Sequence, residues 1–232
     1  MALLGYIYKM NFLSHFYFDR NTTNANIVIG TVLPDLLKNA NKNWNVHPEK
    51  NPELFQQAHL QPILTGWKRH LQVDILFHSS DFFNIKTQEL KQLLLPILKD
   101  TPVRPSFLAH IGVELLLDHL LVQHQKIAIY SFYDQLEAAD HQHLTEFIHQ
   151  CKISDSSLFF KFLNSFKSSR YLLSYQKLEN ISYALQRICM RLWERPFTEK
   201  TTYQLTSILE FYKNQLEVDF MIIFEEIENR LT

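Results

Sequence analysis

The chain has 232 residues, 46% of them hydrophobic, with 18 Phe and 10 Tyr, which suffices for one large core or two small ones. Its 23 Lys and Arg nearly balance 24 Asp and Glu, which argues against the broad basic surface that nucleic acids require. Cys151 and Cys189 stand far apart, which argues against a disulfide framework or a thiolate zinc site and fits a reducing compartment.

Residues 1–9 are apolar but short, without a charged leader or a small-residue cleavage site, so no signal peptide is expected. They read as an N-terminal extension or a start-site choice. No window of about 18 uncharged apolar residues occurs, so no membrane span is expected. The resulting expectation is a soluble, cytoplasmic protein without nucleic-acid or membrane partners.

Only four glycines occur, no Asn-Gly or Asp-Gly hairpin signal is present, and apolar residues recur at helical spacing almost throughout. The spacing predicts an all-α fold with helices near 10–19, 24–39, 53–79, 85–98, 105–127, 131–150, 155–168, 177–193 and 199–230. Pro34 should kink or break the second of these, with Asp35 then open to a role as a cap. Asn39 to Pro52 and Asp100 to Pro105 read as loops, neither long enough for a domain linker. The last helix carries an apolar stripe of Leu205, Ile208, Leu209, Tyr212, Leu216 and Phe220 and reads as core packing. The expectation is a single helical-bundle domain over 1–232.

Two predicted helices carry ionisable residues at one-turn spacing: His70, Asp74 and His78 on one, His110, Glu114 and Asp118 on the other, with His119 beside the last. Positions i, i+4 and i+8 share a helix face. Their neighbours Val73, Ile75, Leu76, Phe77, Ile111, Val113 and Leu115 to Leu117 are apolar and expected to be buried. Imidazoles and carboxylates are costly to bury unless paired or coordinating a metal. The stripes therefore suggest a metal or acid–base site. Mixed nitrogen and oxygen donors without thiolates suit Mn²⁺, Fe²⁺ or Zn²⁺, and such an ion lowers the pKa of water for ester hydrolysis. A ferritin-like di-iron site would need two Glu-x-x-His pairs, and only Glu146–His149 has that spacing. His47, His59, His124, His141, His143 and His149 carry no comparable pattern.

Met10-Asn11-Phe12-Leu13-Ser14-His15, Ile29-Gly30-Thr31-Val32-Leu33-Pro34-Asp35, Gly66 followed by His70-Leu71-Gln72-Val73-Asp74, and Leu117-Asp118-His119-Leu120 occur in that order. Together the chain resembles the acyl carrier protein phosphodiesterase family, and the likeness continues through Tyr183-Ala184-Leu185-Gln186-Arg187 and Arg191. The resemblance implies an all-helical hydrolase, distantly like the HD-type metal phosphohydrolases. It would remove 4′-phosphopantetheine from holo acyl carrier protein with a divalent cation, Mn²⁺ above all. The matching positions are His15, Asp35, His70, Asp74, Asp118 and His119. The chain differs from the pattern at Glu114, where an Asp is expected, and at His78, where an acid commonly stands.

On this reading Asp35, His70, Asp74, His110, Asp118 and His119 hold one or two cations, with Glu114 as a further ligand or catalytic group. His15 or His78 would protonate the departing serine oxygen. Arg187 and Arg191 would grip phosphate, and Lys68 and Arg69 would meet the acidic carrier protein. Two other readings stand beside it: a helical interaction protein that kept the scaffold without the chemistry, and a di-iron or haem oxidoreductase in a bundle.

Overall fold

The computed structural model describes residues 11–231. Met10 and the predicted extension at 1–9 lie outside the described residues. Among these, every regular element is helical, as the periodicity predicts. The chain divides into two compact units. One holds residues up to Asp74 with Ile127–Leu172, the other Ile75–Lys126 with residues from Leu173 onward.

The first unit contains α1 (Phe12–Tyr17), α2 (Ala25–Ala40), most of α3 (Gln61–Ser79), α6 (Ile129–Ala138), α7 (His141–Gln150) and α8 (Ser157–Ser169). α2 packs against α1, α6 and α8. Aromatic rings fill the space between these helices, Phe12 on Phe166 at 5.0 Å and Phe16 on Phe132 at 5.1 Å between centroids. The buried Tyr133 hydroxyl accepts the Leu172 amide at 3.2 Å.

The second unit contains the end of α3, α4 (Asp81–Leu98), α5 (Pro105–Gln123), α9 (Leu178–Met190), α10 (Glu199–Leu216) and α11 (Met221–Leu231). α4 and α9 pack on α5, and α10 packs on α4 and α9. α5 is buried on nearly all sides, as suits a helix at the centre of a core. It is also long and apolar enough to cross a membrane, but 78% of that window is buried inside the protein.

Helix ends follow local chemistry that periodicity does not reveal. The predicted 53–79 helix is a 3-10 turn, Pro52–Phe55, followed by α3. Pro62 explains the break: it has no N–H and is tolerated only in a first turn. The predicted 131–150 helix is divided because the Asp140 side chain accepts the His143 amide at 2.9 Å and starts α7 there. The predicted 199–230 helix turns at residues 217–220, where Asp219 pairs with Lys86 at 2.8 Å. α4 starts at Asp81, earlier than predicted, because Ser80 caps the Phe83 amide at 3.1 Å. α5 stops short of 127 in a turn where the Lys126 amide reaches the Leu121 carbonyl at 2.8 Å and Gln125 takes a φ of 53°. α2 runs through Pro34, so Asp35 lies inside the helix and is not a cap. Ile75, expected in the core, is 67% exposed.

Candidate metal centres

The first centre begins with two glycines. Gly30 on α2 and Gly66 on α3 face each other across a crossing so tight that a Cβ on Gly66 would overlap the Ile27 carbonyl and come within 2.6 Å of the Thr31 amide. A Cβ on Gly30 would likewise overlap the Ile63 carbonyl. Only glycine lets two helix backbones approach this closely. One turn beyond Gly66, His70 consequently meets α2, and its Nδ1 donates to the Thr31 carbonyl at 2.9 Å. A carbonyl only accepts, so the proton sits on Nδ1 and the Nε2 lone pair is left for other partners.

His70 Nε2 lies 3.8 Å from Asp35 Oδ1. From α1, His15 stacks on His70 with centroids 4.0 Å apart and planes 17° from parallel. One donor atom from each of His15, His70 and Asp74 falls within 4.8 Å of the others. Two ligands bound about 2.0–2.2 Å from one ion are at most about 4.4 Å apart, so the spread approaches what a single ion requires. His15, His70 and Asp35 are buried and Asp74 is half-buried. The donor set, two imidazoles and a carboxylate, fits a borderline divalent ion.

The second centre lies in the other unit. His110 and Glu114 are one turn apart on α5, with His110 Nε2 3.2 Å from Glu114 Oε1. His78, at the end of α3, places its Nε2 3.6 Å from the same oxygen. These three residues also bring donor atoms within 4.8 Å of one another. Thus the stripe His70–Asp74–His78 does not act as one group. His70 and Asp74 join His15, while His78 joins His110 and Glu114.

The remaining expected residues sit as follows. Asp118 is fully buried on α5. His119 Nδ1 donates to the Tyr175 carbonyl at 2.6 Å, and burial lowers its pKa, so the ring is held neutral with Nε2 as acceptor. Lys68 is exposed on α3, whereas Arg69 is half-buried and favours the ionised form of Asp19. Arg187 is exposed in the last turn of α9, and Arg191 is exposed just past its end. Histidines without a pattern are in ordinary pairs: His59 with Glu146 at 2.9 Å and His124 with Glu217 at 2.7 Å. The stacking of His15 on His70 had no sequence signal of its own. The scarcity of glycine, with two of the four at one helix crossing, is the clue that could have revealed it.

No curated protein and no solved structure matches the chain. The family profile described as acyl carrier protein phosphodiesterase matches residues 10–227. The motifs around His15, Asp35, His70, Asp74 and Asp118 fall within that span, and the chain belongs to the acyl carrier protein phosphodiesterase family.

Proposed function

We propose that this protein is a divalent-metal-dependent phosphodiesterase that releases 4′-phosphopantetheine from the serine of holo acyl carrier protein. The observation that carries the reading is the convergence of His15, His70 and Asp74, in a chain of the family described as acyl carrier protein phosphodiesterase. The His70–Asp74 pair on one helix face supports a relation to the HD-type phosphohydrolases. His15, His70 and Asp74 would hold the cation, Mn²⁺ first and Fe²⁺ or Zn²⁺ otherwise, with Asp35 beside them. Once bound, it supplies positive charge for the phosphoryl oxygens and lowers the pKa of water.

The chain's own residues prepare that centre. The Thr31 carbonyl fixes the His70 tautomer and aims Nε2 away from α2. The Asp35 carboxylate lies 3.8 Å from Nε2 and adds negative charge beside the three donors. We assign His15 to the ligand set instead of to proton transfer, because its ring lies flat on His70. Asp74 is the most exposed of the three. Lys68, on the same helix and exposed, offers positive charge to an acidic carrier protein. Cys151 and Cys189 are free thiols, both pushed up to about 12 by burial, which fits a cytoplasmic protein that makes no use of thiolates.

The test is to incubate holo acyl carrier protein with the purified protein and Mn²⁺ and weigh the carrier. Loss of the phosphopantetheine mass is expected, abolished by Asp74→Ala and retained by His124→Ala. An unchanged carrier mass with the cation-loaded wild type would overturn the substrate. Equal loss of activity in both variants would overturn the site.

A further inference from the structure

Glu114 is 0% exposed, and neither of its carboxylate oxygens makes a hydrogen bond. A carboxylate so placed carries a desolvation cost that its surroundings must offset. What faces it is a pair of imidazole nitrogens, His110 Nε2 at 3.2 Å and His78 Nε2 at 3.6 Å, both aimed at Oε1. The two rings stack at 4.8 Å between centroids and 18° between planes, so both present a nitrogen to the same oxygen. A cation at the point where the three donors meet would engage all of them.

We propose that His78, His110 and Glu114 form a second divalent-cation site, of the borderline transition-metal class represented by Zn²⁺, sharing no ligand with the His15–His70–Asp74 centre. Three features beyond the donor count support it. The two α5 ligands are spaced by one turn, which places both side chains on one face without strain. Phe83 packs edge-on against both rings, at 5.1 Å to His78 and 5.0 Å to His110, and so holds them in register. The imidazoles are 25% and 24% exposed while the carboxylate is sealed, so an ion can enter past the rings and keep an open coordination position. Two imidazoles and one carboxylate are the donor set of zinc and non-haem iron sites that bind a further ligand, in contrast to closed four-ligand structural sites. The site would therefore accept an oxygen ligand from solvent or from an anionic substrate.

The experiment counts metal on the full chain. Protein stripped with chelator is reloaded with Zn²⁺ or Co²⁺, desalted and analysed for metal content. The Co²⁺ form also gives a visible spectrum that reports nitrogen coordination. Wild type should retain two equivalents, Glu114→Gln and His110→Gln one each, Asp74→Ala one, and Asp74→Ala/Glu114→Gln none. Glu114→Gln keeps the side-chain shape and removes a buried charge, so its far-UV circular dichroism should match wild type. If Glu114→Gln does not fold, His110→Gln provides the same comparison from a half-exposed position. Retention of two equivalents by either of these variants would overturn the proposal. So would a single equivalent in wild type, whether Asp74→Ala removes it or not. Loss of hydrolysis in Asp74→Ala with the Glu114-dependent ion still bound would separate this site from the activity proposed above.

Discussion

Replacing Gly66 by Ala should lower stability and loosen the first candidate metal centre together. An added Cβ would stand 2.6 Å from the Thr31 amide and closer still to the Ile27 carbonyl, and ordinary contact begins at 3.4 Å, so α2 and α3 must separate by at least about 0.8 Å at that point. The obstructing atoms are backbone and cannot rotate aside. A shift of that size along the His70–Thr31 bond, now 2.9 Å, would carry it beyond hydrogen-bonding range. Alanine gains about 1 kcal/mol over glycine in a helix interior. Against this stand about 1–3 kcal/mol of overpacking and about 1 kcal/mol for the lost bond, a net loss of about 1–3 kcal/mol. Gly112→Ala is the matched control. Its Cβ would meet the Leu90 Cδ2 at 2.9 Å, the movable end of a side chain, so the propensity gain should leave stability level or slightly raised. Thermal unfolding resolves the contrast, because 1 kcal/mol corresponds to roughly 2–4 °C in a chain of this size. Cation titration should show weaker binding in Gly66→Ala and unchanged binding in Gly112→Ala. Equal stability in the two variants, or full cation affinity in Gly66→Ala, would refute the argument that backbone contact sets the position of His70.

Asp19 is buried, accepts the Thr31 hydroxyl at 2.7 Å, and has its pKa raised chiefly by desolvation, against smaller lowering by Thr31 and Arg69. The native state thus binds more protons than the unfolded state between the ordinary carboxylate value of 3.8 and the raised one, and stability falls as pH rises through that window. Asp19→Asn should be more stable than wild type at neutral pH, with the gap closing toward pH ~4 in urea titrations; a gap that widens on acidification would contradict this. Lys68→Glu should slow hydrolysis of holo acyl carrier protein several-fold at low salt, with the effect fading as screening shortens to about 8 Å near physiological ionic strength. Hydrolysis of a small phosphodiester should be unaffected, and an equal loss on both substrates would move the docking surface elsewhere. Arg69 is left out of this variant because reversing its charge would place two acids side by side at Asp19.

Helical periodicity alone carried the all-α fold, the burial of Ile111, Val113 and Leu115 to Leu117 on α5 and most of α2, because each depends on which residues lie on which side of a single helix. The same periodicity concealed the turn at 217–220, since Leu216, Phe220, Phe224 and Ile227 stay apolar at helical intervals through it and are all buried. It also presented His70, Asp74 and His78 as one stripe. Spacing along a helix states which side chains share a face, but not which other helix supplies the facing groups. That depends on where backbones can touch. At Gly30 and Gly66 the absence of two Cβ atoms lets α3 reach the Thr31 carbonyl, and α1 adds His15. One turn further on, α5 supplies His110 and Glu114 to His78. The candidate ligand types were legible in the sequence, while their grouping into two candidate centres came from contacts between residues far apart in the chain, which only the packed helices decide.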